Sequence, residues 1–293
     1  MMDLNKRQEK NKNFPVSIVI PNYNGQRLLA KNLPKVISTI GEAEIIVVDD
    51  ASKDQSVDFV KRNFPQVKVV RHDVNKRFAA ACNSGVKEAS GEIVVLLNND
   101  VSPKKNFLKP LIKHFTDSSV FSVGCREIEI KNGKKFISGR TEGKFKRGFL
   151  IHWRPQDQES YDTLWTFGGS MAVERQKYLQ LGGMDSLFTP AYWEDIDLCW
   201  RARQRGWKIL FEKDAVVYHE HETTNKSVFG KSKMKLYAYQ NQILFVWKNI
   251  RGRQLFEHFL WLPYHLVFTT IRSKGLFFLA FLLAVIRLFK LFN

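Results

Sequence analysis

The chain has 293 residues, 44% of them hydrophobic, and its 46 Lys and Arg outnumber 29 Asp and Glu to give a formal net charge of +17. That length suffices for one sizeable core with a smaller appendage, and the hydrophobic share excludes a disordered chain. The charge favours a polyanionic partner and leaves nucleic acid, an anionic membrane surface and phosphate-bearing substrates all open.

The N-terminal stretch "MMDLNKRQEKNKNFP" is charged, with no apolar segment behind it. It reads as a basic tail over residues 1–14, neither signal nor transit peptide, and a cytoplasmic location is expected. Four apolar runs follow: Val16 to Ile20, Glu44 to Val48, Val67 to Val70 and Ile93 to Leu97. Near-continuous runs of this length suit strands buried on both faces. Segments of helical length lie between them, Gln26 to Ile40, Asp54 to Asn63 and Arg77 to Ala89. The alternation predicts an α/β fold, a doubly wound, mostly parallel sheet that binds its ligand at the carboxyl ends of the strands.

"PNYNG" follows the first strand, "DDAS" the second and "NND" the fourth. Each alone can be explained as turn chemistry. Together they bring Asn and Asp to one edge of a sheet and point to a single site. Residues 121–167 are basic and Gly-rich, and read as irregular strands and loops, a flap over the site. "GGS" at Gly168 to Ser170 leads to a helix over Glu174 to Leu181, ended by Gly182 and Gly183. In "AYWEDIDLCWRARQRGW", Glu194, Asp195 and Asp197 fall in the first turn of a further helix, where the dipole favours negative charge, and Asp197 is at pairing distance from Arg201. A strand over Lys208 to Tyr218 then delivers His219, open to three roles: metal ligand, phosphate donor or structural group. His221 is the weaker candidate.

From Leu255 two apolar blocks are separated by Arg272 to Gly275. The second, Leu276 to Ile286, is about half the length of a spanning helix, and Pro263, Glu257, His258 and His265 interrupt the first. Such helices suit the interface of an anionic leaflet; packing on the preceding domain or forming a homodimer interface is the alternative. Cys82, Cys125 and Cys199 form no CxxC pair and read as buried thiols in a reducing compartment.

Neither GxxxxGK[ST] nor a GxGxxG after the first strand is present, which argues against a P-loop NTPase or an NAD-dependent dehydrogenase. Asp100, closing "LLNND", can instead hold a divalent cation that bridges a diphosphate. "VSIVIPNYNG", "IIVVDDASKDQS", "NKRFAAACNSGVKEASGEIVVLLNND", "GGSMAVERQKYLQLGGMD" and "YWEDIDLCWRARQRG" resemble, in order and spacing, the family 2 glycosyltransferases, and most closely the bacterial, polysaccharide-building, rhamnosyltransferase-like members. The resemblance covers Pro15 to Ser227. It implies a GT-A fold over residues 15–227; the apolar blocks themselves mark 228–293 as a helical, membrane-associating segment. It also implies inverting, hexosyl-type transfer from a UDP- or dTDP-sugar, with Mg or Mn, to a lipid-linked or polysaccharide acceptor at the inner face of the cell membrane.

Residue by residue, the resemblance places Pro21, Asn22, Tyr23 and Asn24 on the nucleotide, with Asp49 and Asp50 on its base or ribose. It spreads Asn75 to Asn83, including Arg77 and Asn83, over the base and diphosphate, and adds Asn99. Gly168, Gly169, Trp193 and Glu194 fall in the sugar pocket, Asp195 on the general base, and Asp100 with His219 on the metal. Two departures stand out. Asn98 and Asn99 replace carboxylates, which leaves Asp100 as the charged ligand, and Arg77 stands where many relatives have Gly. A guanidinium there can pair with the diphosphate or face solvent. Two other readings remain open: a catalytically inactive subunit of this type, or a basic protein that binds membranes or nucleic acid without catalysis. Carboxylates and amides at three strand ends argue against nucleic acid.

Overall fold

The computed structural model describes residues 14–219 and 224–289. Most of the basic N-terminal tail, residues 1–13, and His221 lie outside them. The alternation read from the sequence is present: β1 (Val16–Asn22), α1 (Gln26–Thr39), β2 (Glu44–Asp49), α2 (Ser56–Asn63), β3 (Lys68–Arg71), α3 (Arg77–Glu88) and β4 (Ile93–Leu97). The apolar runs are continuous because both faces of the sheet are covered. Val19, Ile46, Val48, Val94 and Leu96 point into one core, and their neighbours Ile18, Ile20, Ile45, Val47, Ile93, Val95 and Leu97 into the other. This is the period-2 alternation of a pleated strand, with both sets apolar.

The second half of the chain adds β5 (Val101–Pro103), α4 (Leu108–Ile112), β6 (Val120–Lys131), β7 (Lys134–Ser138), β8 (Glu142–Lys146), β9 (Phe149–Trp153), β10 (Ser170–Glu174), α5 (Arg175–Gln180), α6 (Glu194–Gln204) and β11 (Lys208–His219). Among the described residues, nine strands share one sheet in the order β3-β2-β1-β4-β10-β6-β11-β5, with β7 paired to β6. The β3-β2-β1-β4 half is parallel. β10 then enters antiparallel between β4 and β6, and β5 runs antiparallel to β11, so the other half is mixed. Strand direction leaves no trace in a run such as "SMAV", which is buried throughout.

Residues 121–153, expected as irregular strands and loops, form two hairpins. Asn132-Gly133 joins β6 to β7 and Arg147-Gly148 joins β8 to β9, all four residues with φ between 50° and 75°. Two consecutive left-handed residues make the turn whose twist matches that of paired strands.

The C-terminal segment comprises α7 (Thr224–Asn249), broken at Gly230, α8 (Gly252–Tyr264) and α9 (Leu276–Phe289). α8 continues through a π-helical turn, His265–Thr269, to Arg272. Among the described residues, no helix is long and apolar enough to cross a membrane. The inner faces of the segment pack on the sheet domain, and Ile243, Leu244, Phe245 and Val246 of α7 belong to the same core as Val19 and Leu96.

The join is polar as well as apolar. The fully buried carboxylate of Asp197 accepts from Arg201 Nε at 2.7 Å, Lys248 Nζ at 2.8 Å and Asn249 Nδ2 at 2.8 Å. A buried carboxylate is tolerated only when charges and donors surround it, and removing one partner strands the rest. We expect Asp197→Ala to lower the unfolding free energy by about 1–3 kcal/mol in urea denaturation, because Arg201 and Asn249 lose a charged acceptor while Lys248 keeps Asp185 at 2.7 Å. Breaking the exposed Arg253–Glu257 pair on α8 with Arg253→Ala should change it by less than about 0.5 kcal/mol.

Candidate active site

The three polar strand ends meet. Asn22, closing β1, is 2% exposed; its Nδ2 donates to Asp49 Oδ1 at the end of β2, and its Oδ1 accepts from Asn99 Nδ2 just beyond β4. Asn99 is fixed a second time, through its carbonyl, by Asn32 of α1. Gly25 touches this junction: a Cβ there would lie 2.3 Å from both Asn22 Oδ1 and Asn99 Nδ2. Glycine is therefore required for space, not for its backbone angles. Half-buried Pro21 and Tyr23 flank Asn22, while Asn24 is tied to the loop after β2 through Ser52 Oγ and Lys53 N.

Asp50 faces the start of α3. Its oxygens accept from the backbone N–H groups of Lys76 and Arg77 at 2.8 and 2.7 Å, and from His72 Nδ1 at 2.7 Å, with the far side of that ring on Ser84 Oγ. The carboxylate expected on the base or ribose thus shapes the loop that opens α3. Arg77 has φ 74°, a left-handed conformation worth about 1–2 kcal/mol of strain for a side-chain-bearing residue, which a glycine at this position would avoid. Asn83, expected on the nucleotide, has both ends of its amide taken up within the protein, by Tyr178 Oη and the backbone of Met184.

Asp100 and His219 come together at 3.1 Å, and His219 Nδ1 lies 3.3 Å from Glu127 on β6. Glu127 in turn accepts from Ser170 Oγ at 2.6 Å. Burial disfavours charge on the ring, but hydrogen bonds and charge from Asp100 and Glu127 outweigh it and raise the His219 pKa to about 10. Without a metal, His219 is therefore an imidazolium shared between two carboxylates. Among the described residues, no group of three or more His, Cys, Asp or Glu side chains is arranged around a metal position. A carboxylate and an imidazole do converge, and they fit a cation that takes its remaining ligands from phosphate oxygens and water. Such a cation would displace the ring proton.

The glycine-rich "GGS" loop packs against the same edge. Gly169 accepts from Asn98 N at 2.9 Å, and a Cβ on Gly169 would fall 2.3 Å from Asn98 Nδ2. Gly168 N donates to Asp195 Oδ2 at 3.2 Å, and Ile196 N to its Oδ1 at 2.8 Å. Burial pushes the Asp195 pKa up to about 6 against these bonds, and burial followed by the charge of Asp195 pushes Glu194 up to about 8. The helix carrying both begins after two left-handed residues, Tyr192 (φ 71°) and Trp193 (φ 80°). The Trp193 ring is wedged between Phe245 of α7 and His152 of β9.

Three contributors escaped the sequence reading. Asn241 Nδ2 on α7 lies 2.6 to 3.0 Å from the carbonyls of Phe188, Ala191 and Tyr192, and so holds the strained loop ahead of Asp195. Its position inside the apolar "QNQILFVW" is the signal that could have found it, since a buried amide needs partners. Lys248 and Glu127 carried no such signal. Cys82, Cys125 and Cys199 are buried free thiols, as expected, with burial raising each pKa.

An α/β sheet whose Asn- and Asp-bearing strand ends face a glycine-rich loop and a carboxylate-led helix defines a GT-A-type protein. The family model for glycosyl transferase family 2 matches residues 17–182, and the chain belongs to that family. It is 30% identical over 211 residues to a pre-mycofactocin glycosyltransferase of Mycobacterium tuberculosis, covering 71% of this chain and 43% of the relative. It is 25% identical to a chondroitin synthase of Escherichia coli over 236 residues, 70% of this chain and 34% of that one. The chain spans less than half the length of these curated relatives. In fold it is similar to GalNAc-T7 solved with UDP, GalNAc and Mn2+ (TM-score 0.65, 22% identity, 80% of this chain and 48% of that one). It is likewise similar to the Pyrobaculum calidifontis mannosyltransferase PcManGT with GDP-Man and Mn2+ (TM-score 0.61, 19% identity, 94% and 76%).

Because the Asn22–Asn99 bond leaves no room beside it, Gly25→Ala should cost about 1–3 kcal/mol of stability, the usual range for overpacking. An unchanged urea midpoint would show that the junction yields freely.

Proposed function

We propose that the chain transfers a sugar, with inversion, from a UDP- or dTDP-sugar to a hydroxyl of a lipid-linked or polysaccharide acceptor. The observation that carries this reading is Asp195: a carboxylate aimed by two backbone N–H groups and raised toward neutrality, on the same edge as the Asp100–His219 pair. Inverting transfer needs a base on the acceptor side and charge stabilisation on the side of the departing diphosphate. Mg or Mn held by Asp100 and His219 would offset the charge of that leaving group.

Asp195 takes the acceptor proton as the oxygen attacks the anomeric carbon. Glu194, kept neutral by burial, offers an O–H to a sugar hydroxyl, and Trp193, Gly168 and Gly169 shape the pocket around it. Asn22, Asp49 and Asn99 keep the three strand ends in register beneath the nucleotide. Arg77, at the opening of α3, would pair with the diphosphate. A catalytically inactive chain of the same fold would bind nucleotide without turnover, and a nucleic-acid binder would meet repulsion at Asp100, Glu127 and Asp195. We place the catalytic unit at residues 15–227 and the acceptor at the inner face of the cell membrane.

Asp195→Asn is expected to lower transfer by about 10²–10⁴-fold, the usual contribution of a general base, while thermal stabilisation by UDP or dTDP with Mn2+ stays near wild type. Asp100→Ala should weaken both. Full turnover by Asp195→Asn would refute the assignment. Since the base must be ionised and its pKa is raised to about 6, kcat/KM should be level above that value and fall about tenfold per pH unit below it.

A further inference from the structure

The inner sides of α8 and α9 pack on α7 and the β8–β9 hairpin; their outer sides do not. Phe256 (68% exposed), Leu260 (66%), Ile271 (71%), Phe278, Leu282 and Ile286 stand clear of the protein. On α9 the buried Phe277, Ala280 and Ala284 follow one stripe, and the exposed residues follow the opposite one. Trp247, Leu255, Phe259, Val285, Leu288 and Phe289 line an apolar cavity of about 410 Å³ between these helices. An outward apolar surface of this extent marks an interaction site.

The charges around it name the occupant. From residue 252 to 289 the only acidic residue is Glu257, already paired with Arg253. Arg251, Arg253, Arg272 and Lys274 are exposed at the ends of the helices, and Lys146 and Arg147 at the tip of the hairpin below. Arg147 lies over the rings of Trp261 and Tyr264, at 5.4 and 5.2 Å. Apolar residues framed by cations and interfacial aromatics, on helices too short to span, match the headgroup region of an anionic bilayer. A second copy of this surface would instead bring like charges together.

We propose that the outer face of α8 and α9 lies in the interface of an anionic lipid bilayer, with the aliphatic and Phe side chains inserted and the Arg and Lys rim on the phosphates. This deepens the reading of a lipid-linked acceptor. The hairpin beneath the face leads to the active site: His258 Nδ1 lies 2.8 Å from the carbonyl of Gly148, Phe149 packs on His258 and Phe277, and His152 of the same strand meets Trp193, next to Glu194. A membrane held on this face therefore lies on the acceptor side of the cleft.

The test is flotation of the full chain with phosphatidylcholine vesicles, with and without about one third phosphatidylglycerol. Binding is expected to the anionic vesicles, and Leu260→Glu with Ile271→Glu should lower the bound fraction at least tenfold. Arg272→Glu with Lys274→Glu should do the same through charge alone, which guards against an insertion variant that misfolds. Thermal stabilisation by UDP or dTDP with Mn2+, read in the same preparations, should be unchanged in every variant; its loss in wild type would count against the glycosyltransferase reading and not against this face. Failure of wild type to float, binding undiminished in both variants, or a dimer in solution that Leu260→Glu with Ile271→Glu dissolves would overturn the proposal.

Discussion

The buried carboxylate of Asp197 is the interaction on which the arrangement of the active-site edge depends. Left alone in the core it would be untenable; satisfied by Arg201, Lys248 and Asn249, it fixes how α6 and α7 cross. Arg201 also donates to the carbonyls of Leu181 and Gly183, so the glycine turn after α5 is drawn into the same network. Asp195 lies two residues before Asp197. Its direction is thus set partly by a helix more than forty residues further along the chain, through Lys248 and through the hold of Asn241 on the loop at 188–192.

This division of labour explains the cluster of three carboxylates that opens α6. Asp197 is structural, and its neutralisation by two cations frees the helix start to carry charge elsewhere. Asp195 and Glu194 receive no such cations. Burial therefore outweighs the backbone N–H groups that oppose it and moves both toward the neutral form. A helix N-terminus would ordinarily favour ionised carboxylates, and here desolvation outweighs it.

Much of the fold was legible in the sequence because burial on both faces of a parallel sheet writes itself as unbroken apolar runs, and three such runs end in Asn or Asp. The junction of Asn22, Asp49 and Asn99 follows from that pattern alone. The direction of β10 did not follow, because a central strand buried throughout reads the same whichever way it runs. The hairpins at 120–153 were obscured by exposed lysines on their outer faces, although Asn132-Gly133 is itself a strong hairpin signal. In the site, Asp195, Asp100 and His219 stood out by motif. Glu127 reaches His219 only through the pairing of β6 with β11, and Asn241 reaches its carbonyls across about fifty residues, so no local pattern announces either. The C-terminal helices pack their inner faces into the core, as one of the two readings had it, and leave their outer faces exposed.

The net charge of the chain and the charge of its cleft have opposite signs. Asp49, Asp50, Asp100, Glu127 and Asp195 gather along the strand ends, while Lys131, Lys134, Lys135, Lys144, Lys146 and Arg147 lie on hairpins and Arg251, Arg253, Arg272 and Lys274 on the outer helices. Of the cations along that edge, Arg71 lies beside Asp49 and His219 is engaged by Asp100 and Glu127. Coulomb repulsion at a few ångströms is too large to be offset by lysines elsewhere on the surface, whose fields are screened within about 10 Å at moderate ionic strength. On the glycosyltransferase reading proposed above, the acidity of the cleft favours a donor that arrives with a divalent ion, even with Asn98 and Asn99 in place of carboxylates. The basic surplus lies away from that cleft, on the hairpins and on the face where the helices are apolar, which is where the proposed bilayer contact would use it.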